Sequence, residues 1–262
     1  MKISHRTEYR YDAPLDYALQ RLRLVPKNGP TQTVLSWSLE MTGAGEEVRF
    51  IDHFDNETRL LSLDPGSQMI TIAAEGEIET RDTAGVSGEH RGFAPLWLFQ
   101  QQTPLTDPGQ GMRELAASID SGSDLDRLHR LMNAITERVA YVTGATHTGT
   151  SAEDALMQGS GVCQDHSHIF AAAARLLGFP ARYVSGYLMM NATIDQFATH
   201  AWAEAHVPSL GWVAFDASNC ISPDERYVRV AVGRDYRDAM PVSGIRSGWA
   251  EEQLAVHITV EQ

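Results

Sequence analysis

Apolar and polar residues alternate with a period of two through roughly the first 80 positions, the spacing of half-buried strands. HRTEYRYD, TVLSWSLEM, EVRFIDHF, TRLLSL and SQMITIAAEGEIET all show it, and Gly, Pro, Asn and Asp fill the gaps between them. Successive strand side chains point to opposite faces, so each segment can bury one face and wet the other. LDYALQRLRLVP alternates too, with a change of parity between Leu19 and Leu22. The pattern predicts antiparallel strands packed as a small sandwich.

The period then changes. DTAGVSGEHRGFAPLWLFQQQTPLTDPG is rich in turn formers, and its apolar piece APLWLFQ suits a domain junction. In DLDRLHRLMNAITERVAY, Leu125, Leu128, Leu131, Met132, Ile135 and Val139 recur at helical spacing, an ordinary core stripe. SAEDALMQG opens with Ser151 three residues before Asp154, a weak variant of the capping box, and closes near Gly159. From Gln164 to Leu177 there is no Pro or Gly; Ile169, Phe170, Ala173 and Leu177 form an apolar face, and Gly178 and Pro180 end the helix. ARYVSGYLM, HAWAEAHV, GWVAFDAS, YVRVAVG and the closing LAVHITV read as strands. The fold class is α+β. A β-sandwich-like domain over residues 1–85 precedes a helix-then-antiparallel-sheet core over 86–262, with the closing strand assigned to the core.

Composition narrows the function. At 262 residues, 43% hydrophobic and 21% charged, the chain can bury substantial cores. A net charge of -13 with no basic patch argues against a nucleic-acid partner and against an anionic membrane surface. The N-terminus, MKISHRTEYRYD, has no apolar signal region, and no run of 18 apolar residues occurs, so a cytoplasmic location is expected. Two cysteines, Cys163 and Cys220, do not make a disulfide framework. No GxxxxGK[ST] loop is present, and no cofactor is expected. His5 and His53 read as surface or packing residues. Nothing in the sequence specifies an oligomeric state.

Cys163 carries the candidate chemistry. It falls in the first turn of its helix, after Gly159, Ser160, Gly161 and Val162, where free N–H groups and the helix dipole favour a thiolate. The glycines, Gly161 among them, let a substrate backbone approach the sulfur. Three roles remain open: nucleophile, buried small hydrophobe and metal ligand. For a metal, only Cys163 and His166 share a helix face; His168 points elsewhere, and His200 and His206 lie about 20 Å apart along a strand. A closed zinc site needs four ligands, so no metal is expected.

Two partners are available. In HAWAEAHV, His200, Trp202, Glu204 and His206 share one strand face, while Ala201, Ala203, Ala205 and Val207 share the other. The small face suits close packing against the FAAAARLL helix, which brings a histidine-bearing strand near the helix start. Asp216 ends the apolar strand GWVAFDAS, where a charge needs a reason. One reason is a hydrogen bond to an imidazole; the alternative is an Asx-type turn at DASN. A hairpin turning between Ser209 and Leu210 pairs Val213 with His206 and Asp216 with Ala203, so a shift or bulge is needed to bring Asp216 to His200.

GVCQDHSHIFAAAARLLGFPARYVSGY followed by HAWAEAHVPSLGWVAFDASN resembles the transglutaminase-like superfamily. The opening HRTEYRYDAPLDYALQRLRLVP and the later GRDYRDAMPVSG resemble its bacterial branch of cysteine-protease-like members. The resemblance implies a papain-like core with the nucleophile on Cys163, the histidine on His200 and the orienting aspartate on Asp216. His166 stands where many relatives carry an aromatic or other residue. The implied activity is attack on a peptide bond or glutamine carboxamide of a peptide or protein substrate, through an acyl-thioester. The backbone N–H of Cys163 is the first oxyanion donor, with Gln158 or Trp202 as candidates for a second. Thiol hydrolase is the leading reading. Transglutaminase on the same scaffold, a non-enzymatic peptide- or protein-binding module and a metal-binding protein are the alternatives.

Overall fold

The computed structural model of the protein describes residues 1–15, 17–119, 121–190 and 195–262. The first strands are β1 (Lys2–Tyr11), β2 (Tyr17–Val25), β3 (Gln32–Thr42), β4 (Ala44–Ile51), β5 (Glu57–Leu63) and β6 (Met69–Thr80). They divide between two sheets whose apolar faces meet around Tyr11, Leu22, Leu61, Ile70 and Ile72. Burial follows the alternation: Ile3, His5 and Thr7 are the inward residues at the start of β1. The parity change at Leu19 to Leu22 is not a break in the strand. Ala18, Gln20, Leu22 and Leu24 all face inward, and the irregular register falls between Leu22 and Val25.

After β6 come β7 (Val86–Gly88), α1 (Gln110–Ala117), α2 (Asp124–Arg138), β8 (Ala140–Tyr141), α3 (Ala152–Gln158), β9 (Ser160–Gly161) and α4 (Cys163–Leu176). Then follow β10 (Ala181–Leu188), β11 (Asp195–Gln196), β12 (His200–Val207), β13 (Gly211–Phe215), β14 (Tyr227–Gly233), α5 (Tyr236–Ala239), β15 (Val242–Ser247) and β16 (Glu252–Glu261). The core sheet runs β14-β10-β12-β13-β7, with α4 against one face. Helix α1 escapes the sequence pattern because its glycines weaken the signal. Its N-terminus is held from outside: the Glu153 carboxylate on α3 accepts from the backbone N–H groups of Gly109, Gly111 and Met112 at 2.8–3.1 Å. The expected junction segment forms a 3-10 turn, Leu96–Gln100, whose buried Phe99 meets Phe54 of the sandwich.

The closing strand does not join the core sheet. β16 pairs with β1 along its whole length, from Lys2↔Glu261 to Tyr11↔Glu252, and β15 pairs with β2. The sandwich sheets are therefore β11-β16-β1-β6-β3 and β15-β2-β5-β4. Alternation alone specifies that LAVHITV is a strand, not which edge it covers; here Ile258 and Val260 are buried with Ile3 and Ile78.

Two amides dock the sandwich on the core. β14 is an edge strand, and its outward backbone groups need partners. Gln32 donates to Arg229 O and accepts from Arg229 N, both at 2.8 Å. Asn56 does the same at Val232, again at 2.8 Å each. His5 adds a buried hydrogen bond to the Tyr187 hydroxyl at 2.8 Å, consistent with a packing role, while His53 is at the surface. Among the described residues no helix is long and apolar enough to cross a membrane.

Gly186 of β10 lies opposite His200 in the ladder. A Cβ there would stand 2.1 Å from Val228 O and 2.7 Å from the Trp202 ring. Gly186→Ala should therefore lower stability by about 1–3 kcal/mol, the usual cost of overpacking, measured by urea unfolding. A neutral result would mean that the strands can separate more freely than this packing implies.

Candidate active site

Cys163 is the first residue of α4, where backbone N–H groups lack intrahelical partners. Asp165 organises this start. Its buried Oδ2 accepts from Val162 N at 2.8 Å and from the Thr146 hydroxyl at 2.6 Å. Gly161 makes room for it, since a Cβ at 161 would lie 2.8 Å from the Asp165 side chain. An acidic residue two places after Cys163 is the sequence signal for this cap.

Small side chains set the helix against the sheet. Ala171, Ala172, Ala173 and Ala174 are buried in one cluster with Ala203 and Ala205 of β12. Cys163 packs at the edge of a smaller cluster formed by Tyr183, Ala201, Ala231 and Ala239. The start of α4 thus lies beside the start of β12, where His200 is.

The hairpin register brings Asp216 to the same place. β12 and β13 pair Val207 with Gly211, His206 with Trp212 and Ala203 with Phe215. The loop is three residues long, 208–210, and Gly211 takes the positive φ of +79° that such loops use. The expected pairing of Val213 with His206 is one residue out. That step matters, because a one-residue shift exchanges strand faces. The observed register continues to Asp216 level with Trp202, on the face of His200 rather than that of Ala203.

His200 Nε2 and Asp216 Oδ2 are 2.7 Å apart, with Asp216 almost fully buried. Asp216 Oδ2 also accepts from the Tyr227 hydroxyl and from Asn219 Nδ2, each at 2.7 Å. Its Oδ1 accepts from Ser218 Oγ at 2.5 Å, Ser218 N at 3.0 Å and Asn219 N at 3.2 Å. The Asx-type turn and the imidazole contact, weighed as alternatives, coexist on the two oxygens. Burial disfavours the His200 imidazolium, but hydrogen bonds to Asp216 and Cys163 and their negative charge outweigh it, raising His200 from 6.5 to about 10. Burial pushes Asp216 up, and His200, Ser218 and Asn219 hold it well below the usual carboxylate range.

Tyr141 and Tyr227 complete the site and were not singled out from the sequence. Burial, then the charges of Cys163 and Asp216 nearby, push the Tyr141 hydroxyl up to about 12. Trp202 is buried, with its ring 6.3 Å from that of His200, and its Nε1 has no hydrogen-bond partner. The Gln158 amide is engaged with Ala145 O and Ser160 Oγ, both at 3.0 Å. His166 does not join Cys163, because its Nδ1 and Nε2 each meet a backbone carbonyl at 2.9 Å, of Val162 and Val139. Among the described residues, no three His, Cys, Asp or Glu are arranged to hold a metal ion. Cys220 is exposed, with its thiol 3.2 Å from Asn133 Oδ1. A polar cavity of about 100 Å³ between the domains, at Lys27, Asp55, Arg182 and Arg229, is lined by none of Cys163, His200 and Asp216.

Residues 113–217 match the transglutaminase-like superfamily, and residues 1–79 match the bacterial transglutaminase-like N-terminal region. The chain belongs to the bacterial branch of the transglutaminase-like superfamily. It is 29% identical to an uncharacterized protein of Mycobacterium leprae, covering 99% of this chain and 98% of that one. It is 30% identical over 123 residues to a protein-glutamine gamma-glutamyltransferase of Pseudomonas aeruginosa, covering 42% of this chain and 18% of that protein. A crystal structure from Cytophaga hutchinsonii, of a protein proposed to be a cysteine protease, shares the fold with a TM-score of 0.76 at 21% identity, covering 100% of this chain and 91% of that one.

The pair should imprint on stability. His200 is raised on folding, so its contribution is complete below pH 6.5 and disappears as pH rises through about 10. Asp216 is depressed, so its contribution is present above its ordinary value of 3.8 and disappears as pH falls. The Tm gap between wild type and Asp216→Asn should be widest between these ordinary values, 3.8 and 6.5, and should close toward pH 10. A gap that widens with alkalinity would contradict the pairing.

Proposed function

We propose that the protein is a thiol-dependent amide hydrolase acting on a peptide or protein substrate through Cys163, His200 and Asp216. The observation that carries this reading is the position of His200, hydrogen-bonded to Asp216 at 2.7 Å on one ring nitrogen and near enough to Cys163 for the sulfur to help raise the imidazole. With Nε2 on Asp216, Nδ1 is the nitrogen left for the thiol.

His200 already holds the thiol proton as an imidazolium, and the sulfur attacks the amide carbonyl as the thiolate. A C–S bond forms and the carbonyl π pair moves to oxygen. The N–H of Cys163 points from the helix start toward that oxyanion. The Tyr141 hydroxyl, kept protonated by its raised pKa and already near Cys163, is the better-placed second donor. Gln158 is engaged elsewhere, and Trp202 is buried in the apolar cluster of Trp212 and Tyr227. Collapse breaks the C–N bond, and His200 returns its proton to the departing amine or ammonia. Water then attacks the thioester, with His200 as base, to release the acid.

An amine in place of water would give transamidation. The Pseudomonas aeruginosa relative bears a transferase name, and it is this second reading's support. Mass spectrometry of peptides and glutamine-containing proteins incubated with the enzyme and a primary amine separates the outcomes: cleavage or a gain of about 1 Da for hydrolysis, and the amine less ammonia for transfer.

Cys163→Ala should abolish turnover with the fold intact. Asp216→Asn should reduce kcat by up to about 10⁴-fold by favouring the wrong imidazole tautomer. Tyr141→Phe should cost about 10²–10³-fold in kcat, as loss of an oxyanion donor does. Limiting iodoacetamide should label Cys163 before Cys220, and His200→Ala should slow that labelling. Undiminished turnover by Cys163→Ala would end the thiol mechanism.

A further inference from the structure

A second cavity lies at the start of β12, the strand that carries His200. It has a volume of about 170 Å³ and is lined by Tyr9, Phe197, Thr199, Tyr236, Leu254 and Val256, among others. Thr199 immediately precedes His200 in the chain. Tyr236 packs with Cys163 against the cluster of Tyr183, Ala201, Ala231 and Ala239. Tyr236 thus links the cavity to the cluster that also carries the thiol, although none of Cys163, His200 and Asp216 lines it. Its far wall comes from the other domain, because Tyr9 of β1 and Leu254 of β16 are register partners. The return of β16 to the sandwich is what builds that wall.

The lining has two chemical properties. No Asp, Glu, Lys or Arg takes part, on a chain whose net charge is -13. Its one histidine, His5, has both ring nitrogens engaged, with the Tyr187 hydroxyl at 2.8 Å and the Thr7 hydroxyl at 3.1 Å. Burial lowers His5 to about 4, so it is neutral at physiological pH. Large apolar side chains are also left in water at the rim: Phe197 is 78% exposed and Leu254 is 56% exposed. An apolar rim at such a place has a use when substrate covers it.

We infer that this cavity is a specificity pocket that receives an uncharged, bulky apolar or aromatic side chain of the substrate, close to the carbonyl that Cys163 attacks. The inference rests on the proposed thiol chemistry and adds the substrate class. The volume fits one ring: an apolar cavity of about 150 Å³ binds benzene. A charged side chain would lose its hydration there with no counter-charge to replace it.

The test uses affinity labels, because the natural substrate is unidentified. N-acetylated Phe, Gly, Glu and Lys chloromethyl ketones each alkylate a thiolate: a C–S bond forms at the methylene carbon, the C–Cl bond breaks, and chloride leaves with the electron pair. Rates of Cys163 labelling, each divided by the rate with a free-cysteine peptide, report the pocket alone. The Phe reagent should exceed the Gly, Glu and Lys reagents by at least about tenfold, the size of effect that apolar pockets give. Leu254→Arg, at an exposed position, should lower the Phe rate and raise the Glu rate. Phe197→Ala should reduce the Phe preference. Neither variant should change the iodoacetamide rate, which needs no pocket. Equal rates for the four reagents, or a Leu254→Arg protein with unchanged preference, would overturn the pocket while leaving the thiol chemistry standing. Failure of every reagent, iodoacetamide included, to label Cys163 would overturn both.

Discussion

Alanine packed on alanine is the contact on which the site depends. Ala171 to Ala174 of α4 share one buried cluster with Ala203 and Ala205 of β12, with no exposed surface left on any of them. Side chains this small let the helix axis come close to the sheet and cost no rotamer entropy on burial. The close approach carries Cys163, at the helix start, to Ala201 and the beginning of β12. A larger side chain along the seam would overpack it and strain the placement of the helix start. The position of Cys163 and the packing of the core are here one constraint, met by the same few residues.

A second constraint acts at the edge of the core sheet. Gln32 and Asn56 each satisfy both backbone groups of one β14 residue, so the sandwich ends the core sheet much as a further strand would. Because these contacts are paired and directional, they fix orientation as well as proximity. The buried cluster of Ile3, Ile78, Tyr187, Val228, Val230 and Ile258 supplies the apolar area behind them. Together they hold β1 and β16 beside Tyr236 and Thr199, which makes the cavity lined by these residues a property of both domains.

Local pattern made much of this legible. The alternation of HAWAEAHV separated the histidine face from the alanine face, and the Pro- and Gly-free run after Cys163 marked the helix with the cysteine at its start. What escaped depends on contacts distant in sequence. Helix α1 is capped by Glu153, which lies 41 to 44 residues further along the chain than the N–H groups it accepts from. The sheet that receives β16 is chosen by the free edge of β1, at the opposite end of the chain. The hairpin register turned on whether three or four residues form the loop, which PSLG does not declare. Tyr227 and Tyr141 look like ordinary aromatic residues until the fold puts one hydroxyl on Asp216 and the other near Cys163.

The face of β12 opposite the helix carries two buried ion pairs that are built differently. Glu204 is matched by Arg182, whose Nε lies 2.6 Å from the carboxylate, and by the Ser87 hydroxyl at 2.7 Å. Arg182 also lies over the Trp212 ring at 3.9 Å, and Arg229 adds a second guanidinium 3.7 Å from Glu204, so this carboxylate is neutralised by arginine. Asp216 is held differently. Its donors besides His200 are hydroxyls, an amide and backbone N–H groups, all of them neutral. They fix the carboxylate in place without cancelling its charge. Had an arginine taken their place, Asp216 would be neutralised before His200 met it, and the imidazolium would lose its main support. Trp202, between His200 and Glu204 on the strand, puts an indole between the two systems and keeps the guanidinium of Arg182 on the far side. The negative charge that burial would otherwise make costly is thus left to one charged partner, His200.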